Sequence, residues 1–324
     1  MLPIYIYIAI FIGSLFVLFW SGSLLVRSLM KVTRYLGWRE FVISFLVMAF
    51  AASLPNLFIG INSALHKIPQ LSLGDVLGGN LVDLTLIIAL AVLVSGASLP
   101  TNSRMVQTSA LFTIVVAILP LILLLDGTLG RGDGFILILC FFGYIFWIFS
   151  KEERFKKIYN HQGEKIEIVK DLKDFMKNLV IMILSLVLLL GASEGVVLTV
   201  RFFVSNFNLP LELVAILVVG LGNVLPEGYF AIASARKGQT WMILGNLMGS
   251  VIVPSTLVLG IVALIHPIRV FNFSPFAIAR IFLVLAAFLF LIAVRSDQKI
   301  TKKEAWFLIL IYVIFVIVEI LIGL

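Results

Sequence analysis

Charge, cysteine and histidine are all scarce in this chain. Only 13% of its residues are charged against 61% apolar, and the mean hydropathy reaches +1.16. That balance excludes an ordinary soluble domain and makes hydrocarbon the solvent for most of the chain. The single cysteine, Cys140, excludes an internal disulfide and a cysteine-based metal cluster. It reads as a small apolar packing residue. The three histidines, His66, His161 and His266, fall at or near loops without metal-ligand spacing, and read as solvated. No basic residue precedes the first apolar run and no small-residue cleavage site follows it, so it reads as a retained span. Nothing marks a separate soluble domain.

What is present is a series of apolar runs long enough to cross a hydrocarbon layer of about 30 Å. They predict an all-α polytopic membrane protein with ten spans, near residues 4–26, 40–65, 73–95, 105–126, 134–150, 177–204, 211–235, 241–265, 275–294 and 305–323. The net charge of +7 raises nucleic acid as a partner, but its placement argues for a lipid bilayer instead. One set of alternate loops carries nineteen Lys and Arg and the other carries five, a strong positive-inside bias. The basic set is read as cytoplasmic, which places both termini outside. The longest polar stretch, 151–176, reads as a charged cytoplasmic linker with mixed signs, such as Lys151-Glu-Glu-Arg154. It separates residues 1–150 from 177–324. Five spans on each side is an odd number, so the halves enter the membrane in opposite senses and form two inverted five-helix repeats.

The inversion is written most plainly in one segment that occurs twice. Ser53-Leu-Pro-Asn56 is followed by Gly74-Asp-Val-Leu-Gly-Gly-Asn80, and Val224-Leu-Pro-Glu227 by Gly245-Asn-Leu-Met-Gly-Ser-Val251. Proline precedes glycine by 19 positions in both copies, and Ser-Ala follows at Ser63-Ala64 and Ser234-Ala235. The copies centre on about residues 50–90 and 220–260. In inverted-repeat transporters such a pair places an ion site near the bilayer midplane, at the interface between repeats. Pro55 and Pro226 each lack an N–H, which frees carbonyls about four residues earlier. A cation can serve those carbonyls.

Asp83 and Glu227 fall within apolar spans, where an isolated carboxylate costs about 3 kcal/mol or more, and no Lys or Arg is expected at that depth. A bound cation or a proton is the natural partner. Calcium takes six to eight oxygens, mixing carboxylate, carbonyl and neutral side-chain donors. Glu227, Asp83, Asn56, Asn223, Ser53 and Ser250 supply that mixture. Asp75, Gly79 and Asn246 are placed along an access pathway, with Asp75 also read as a residue that begins or caps the third span. Glu194 reads as an ion pair with Arg201 near the outer surface, or as a gate. The small-residue patches Ser21-Gly22-Ser23 and Gly191-Ala-Ser-Glu-Gly195 let the first and sixth spans pack closely or slide.

At these residues the chain resembles the cation/calcium exchanger superfamily, which includes prokaryotic sodium/calcium exchangers. Those proteins carry repeats of the form Gly-Thr-Ser-Leu-Pro-Glu followed by Gly-Asn-x-x-Gly-Ser-Asn. Here the copies read Ala51-Ala-Ser-Leu-Pro-Asn56 and Gly222-Asn-Val-Leu-Pro-Glu227. The family's first carboxylate is replaced by Asn56, and Pro254 stands where the second repeat would match Asp83. The resemblance implies a secondary antiporter of a prokaryotic plasma membrane, working by alternating access. Calcium or a related cation would be exchanged for sodium or protons, with no permanently bound cofactor. A transport-inactive scaffold or ion sensor is the alternative that the missing carboxylates raise. An intramembrane enzyme is remote, because neither aspartyl nor serine protease motifs occur. Nothing in the sequence specifies association of chains, and a monomer is the working expectation.

Overall fold

The computed structural model describes residues 3–35, 48–150, 172–236, 238, 240–270 and 274–323. The start of the expected second span at 40–47 and the linker at 151–171, with His161, lie outside the described residues. Nine helical segments among the described residues are long and apolar enough to cross a bilayer, and Leu54–Leu65 is a shorter apolar helix. The described helices fall into two sets of five spans. Among the described residues, strand is confined to two short antiparallel bridges, Leu99–Pro100 with Lys299–Ile300 and Thr128–Leu129 with Ile268–Arg269. Each bridge ties a loop of the first half to a loop of the second.

The first and sixth spans run as single helices, Ile4–Tyr35 and Leu172–Phe207, of 32 and 36 residues. Both exceed the expected lengths, and the sixth starts five residues before position 177. At about 1.5 Å per residue they outreach a layer of about 30 Å, so each must tilt or extend beyond it. They lie antiparallel. Tyr7 stacks on Phe202 with ring centroids 3.5 Å apart, while Tyr35 stacks on Phe175 at 4.4 Å. Equivalent helices that pack antiparallel are the direct mark of inversion. A Cβ at Gly195 would come within 2.2 Å of Ser14 Oγ, so glycine permits this approach near the middle of the pair.

The third and eighth spans are the most enclosed, and the largest apolar cluster forms around them. Large apolar side chains such as Phe146, Leu125 and Leu321 face outward, as a hydrocarbon surround favours. The duplication reaches the backbone. Ser53 interrupts the second span with φ −83° and ψ 0°, and Val224 interrupts the seventh with φ −91° and ψ 5°, 171 positions later. In each case the carbonyl of the interrupting residue accepts a bond of 3.1 Å from the residue four further on, Leu57 or Gly228. The third and eighth spans each widen into a π-turn, at Asp83–Ile87 and Pro254–Val258, again 171 positions apart. A further π segment, Val214–Val219, lies in the seventh span. π-turns of this kind often occur at functional sites.

Candidate functional site

The interrupted seventh span crosses the third where glycines remove every intervening side chain. A Cβ at Gly74 would lie 2.4 Å from Ala215 Cβ, one at Gly78 would lie 2.0 Å from the Ile216 carbonyl oxygen, and one at Gly220 would lie 2.9 Å from Gly79 N. The backbones therefore touch. Beyond this crossing, Gly79 faces Val224 at the break, and Gly228 faces Ile87 in the π-turn that Asp83 opens. The contacts carry Asn223 and Glu227 onto the face of the third span that holds Asp75 and Asp83.

Every residue expected at the site or its access path is buried: Ser53, Asn56, Asp75, Gly79, Asp83, Asn223, Glu227, Asn246 and Ser250. Ser250 Oγ donates to Asp83 Oδ2 at 2.6 Å, which joins the eighth span to the third. Asn223 Nδ2 donates to both oxygens of Asp75, at 3.3 and 3.1 Å. Glu227 lies within electrostatic reach of Asp83 and, more weakly, of Asp75. No ion pair among the described residues involves these three carboxylates. Asn56 and Ser53 sit at the equivalent break in the second span.

Three buried oxygens here lack a hydrogen-bond partner: Asp83 Oδ1, Glu227 Oε2 and Asn223 Oδ1. Buried oxygens without donors are costly, doubly so on carboxylates that repel one another. A hard cation is the kind of partner such oxygens call for. The described residues contain no group of three or more His, Cys, Asp and Glu suited to a metal. Neutral oxygens must therefore complete any cation's shell.

Two expectations change. The third span begins at Gln70, so Asp75 lies inside the helix and does not cap it. His66 is not merely solvated: its Nε2 lies 2.6 Å from Glu194 Oε1, and Arg201 Nη1 lies 3.1 Å from its Nδ1. The imidazole thus sits between the two residues read as an ion pair, because the second span ends where the sixth passes. Sequence reading also missed a set of polar contacts. Asn80 Nδ2 donates to Ser255 Oγ at 2.7 Å across the repeats. Thr85 and Thr256, 171 positions apart, donate back to the carbonyls of Leu81 and Ile252. Buried hydroxyls at matched positions were the available signal. Glu319, buried in the tenth span with its Oε2 unpartnered, also went unremarked.

Broken helices from two inverted repeats, meeting at buried carboxylates without basic partners, define a membrane transporter of the secondary, ion-coupled class. A family model described as sodium/calcium exchanger protein matches residues 6–150 and again 177–321. The chain belongs to the sodium/calcium exchanger family and is a secondary cation antiporter. It is similar to inner membrane protein YrbG of Escherichia coli, with 25% identity covering 84% of this chain and 83% of the relative. It is also similar to the sodium/calcium exchanger MaX1 of Methanosarcina acetivorans, with 23% identity covering 90% and 92%. A structure of the sodium-calcium exchanger NCX_Mj soaked with Na+ and Sr2+ shares the fold. Its TM-score is 0.65 at 21% identity, covering 96% of this chain and 98% of that one.

Proposed function

We propose that the chain exchanges calcium, or a related divalent cation, for sodium or protons by alternating access. Glu227 and Asp83 bind the divalent ion, and two negative charges balance its two positive ones. Asn56, Asn223, Ser53 and Ser250 supply neutral oxygens, together with carbonyls freed by Pro55 and Pro226. Asp75, Gly79 and Asn246 border the route to this centre, and the first and sixth spans shift to open either side. Residues 1–150 and 177–324 form the two repeats, joined by a cytoplasmic linker at 151–176, with both termini on the opposite face of a prokaryotic plasma membrane. The molecule works as a transporter and not as an enzyme.

The observation that carries this reading is the set of three partnerless buried oxygens, Asp83 Oδ1, Glu227 Oε2 and Asn223 Oδ1, with donors from both repeats. The test is calcium flux into proteoliposomes under an imposed sodium or proton gradient. Glu227→Gln combined with Asp83→Asn removes both charges at little change in volume and is expected to abolish gradient-driven flux. Undiminished flux in that double variant would sink the site assignment.

A further inference from the structure

Away from the exchange centre, a chain of polar contacts ties the second span to the sixth. Asn62 and His66 lie one turn apart at the end of the helix Leu54–Leu65, so their side chains share a face. Asn62 Nδ2 donates to Ser193 Oγ at 2.7 Å, and both residues are buried. One turn on, His66 Nε2 lies 2.6 Å from Glu194 Oε1, while Arg201 Nη1 lies 3.1 Å from His66 Nδ1. A guanidinium has donors only, so Nδ1 accepts from Arg201 and Nε2–H donates to Glu194. The contacts thus select one tautomer of the ring. The backbone beneath it is equally fixed: His66 N–H donates to the Asn62 carbonyl at 2.9 Å, and Ile68 N–H to the Ser63 carbonyl at 2.9 Å.

The spacing of 171 makes Ala233 and Lys237 equivalent to Asn62 and His66, and Gly22, Ser23 and Met30 equivalent to Ser193, Glu194 and Arg201. No carboxylate, amide, imidazole or guanidinium stands at those five places, so they cannot build the same chain of bonds. The tie belongs to one end of the molecule. The charge bias of the loops assigns that end, where Lys67 follows His66, to the face outside the cytoplasm.

Resting on the alternating-access reading above, we propose that Asn62, His66, Ser193, Glu194 and Arg201 form a latch that holds the outer side of the transporter closed. The sixth span shifts as access alternates, whereas the second span carries Ser53 and Asn56 to the exchange centre. A tie between a moving element and the element that bears the site closes the gap between them at that end. Opening it breaks the Asn62–Ser193, His66–Glu194 and Arg201–His66 contacts together, two of which involve a charged group and are the stronger for it. Without a matching set at the inner end, the balance between states leans toward the one with its outer side closed. The five are positioning residues. None is a ligand of the transported ion; they act by setting how often each face is open.

The experiment measures half-maximal calcium for gradient-driven flux at each face, using right-side-out and inverted membrane vesicles that contain the parent, His66→Leu or Glu194→Gln. His66→Leu removes both ring contacts at similar size. Because apparent affinity scales with the fraction of molecules open to that face, half-maximal calcium is expected to fall about fivefold outside and to rise inside. Glu194→Gln keeps an oxygen that accepts from Nε2–H but loses the charge, so shifts of the same sense and about half that size on a logarithmic scale are expected. A general loss of stability does not move the two faces in opposite senses. If His66→Leu fails to fold, Glu194→Gln decides. Unchanged values, shifts of one sense at both faces, or opposite shifts of the reverse sense each overturn the latch while leaving the antiporter reading intact. A parent without gradient-driven flux overturns the antiporter reading and this inference with it.

Discussion

Asp83 and Ser250 show how much a single contact decides at the residue scale. Ser250 Oγ holds one carboxylate oxygen of Asp83 at 2.6 Å and leaves the other for a ligand. A hydrogen bond to a charged group contributes about 1.5–3 kcal/mol. Ser250→Ala is therefore expected to weaken calcium binding about tenfold or more, measured by calorimetric titration of the purified protein. Affinity equal to the parent's would show that the hydroxyl does not fix the carboxylate for binding. The sequence made Asp83, Glu227 and Ser250 legible as buried polar residues in apolar runs. It did not reveal who holds whom. That Asn223 reaches Asp75, and that His66 stands between Glu194 and Arg201, depends on how separate spans cross. Linear spacing carries no such information.

At the element scale, the interrupted spans and the glycine crossing act as one device. Pro55 and Pro226 announced the interruptions, because proline removes a donor and obstructs the preceding turn. The matched breaks at Ser53 and Val224 follow from that local chemistry. The π-turns at Asp83 and Pro254 had no comparable sequence signal, since an acid and an imino acid begin equivalent widened turns. Their Thr85 and Thr256 hydroxyls, bonded back to carbonyls one turn earlier, are the visible adaptation. The crossing itself yields a sharp prediction. In Gly78→Ala the new methyl would sit 2.0 Å from the Ile216 carbonyl oxygen, so the third and seventh spans must separate. Overpacking of this kind costs about 1–3 kcal/mol. A lower apparent Tm and loss of flux are expected in thermal-shift and proteoliposome assays. Gly143→Ala, where nothing lies within 4 Å, is the control and should match the parent. Equal stability of the two variants would mean that the close crossing is not maintained in the membrane.

For the whole molecule, the antiparallel first and sixth spans and the two loop bridges give an inverted pair of five-span halves. Orientation is a separate matter, predicted from nineteen basic residues on one face against five on the other. With Cys140→Ser as background, an impermeant maleimide applied to intact cells should label Arg131→Cys and spare Lys302→Cys. Inverted vesicles should show the opposite pattern, and labelling of Lys302→Cys in intact cells would reverse the assigned topology. By itself the sequence determined the solvent, the number of halves and their inversion. Hydropathy, span parity and a repeat spacing of 171 are properties of the chain's order, and need no folded geometry to read. Only the tertiary structure decided which polar atoms meet. Backbones touch where Gly78 and Gly79 pass Ile216 and Gly220, and that contact turns distant positions into neighbours. The repeats share their helices because the backbone follows common local rules. The chemistry differs because Asp75 of the first half meets Asn223 of the second, while Asn246 and Ala52 occupy the places that inversion makes equivalent.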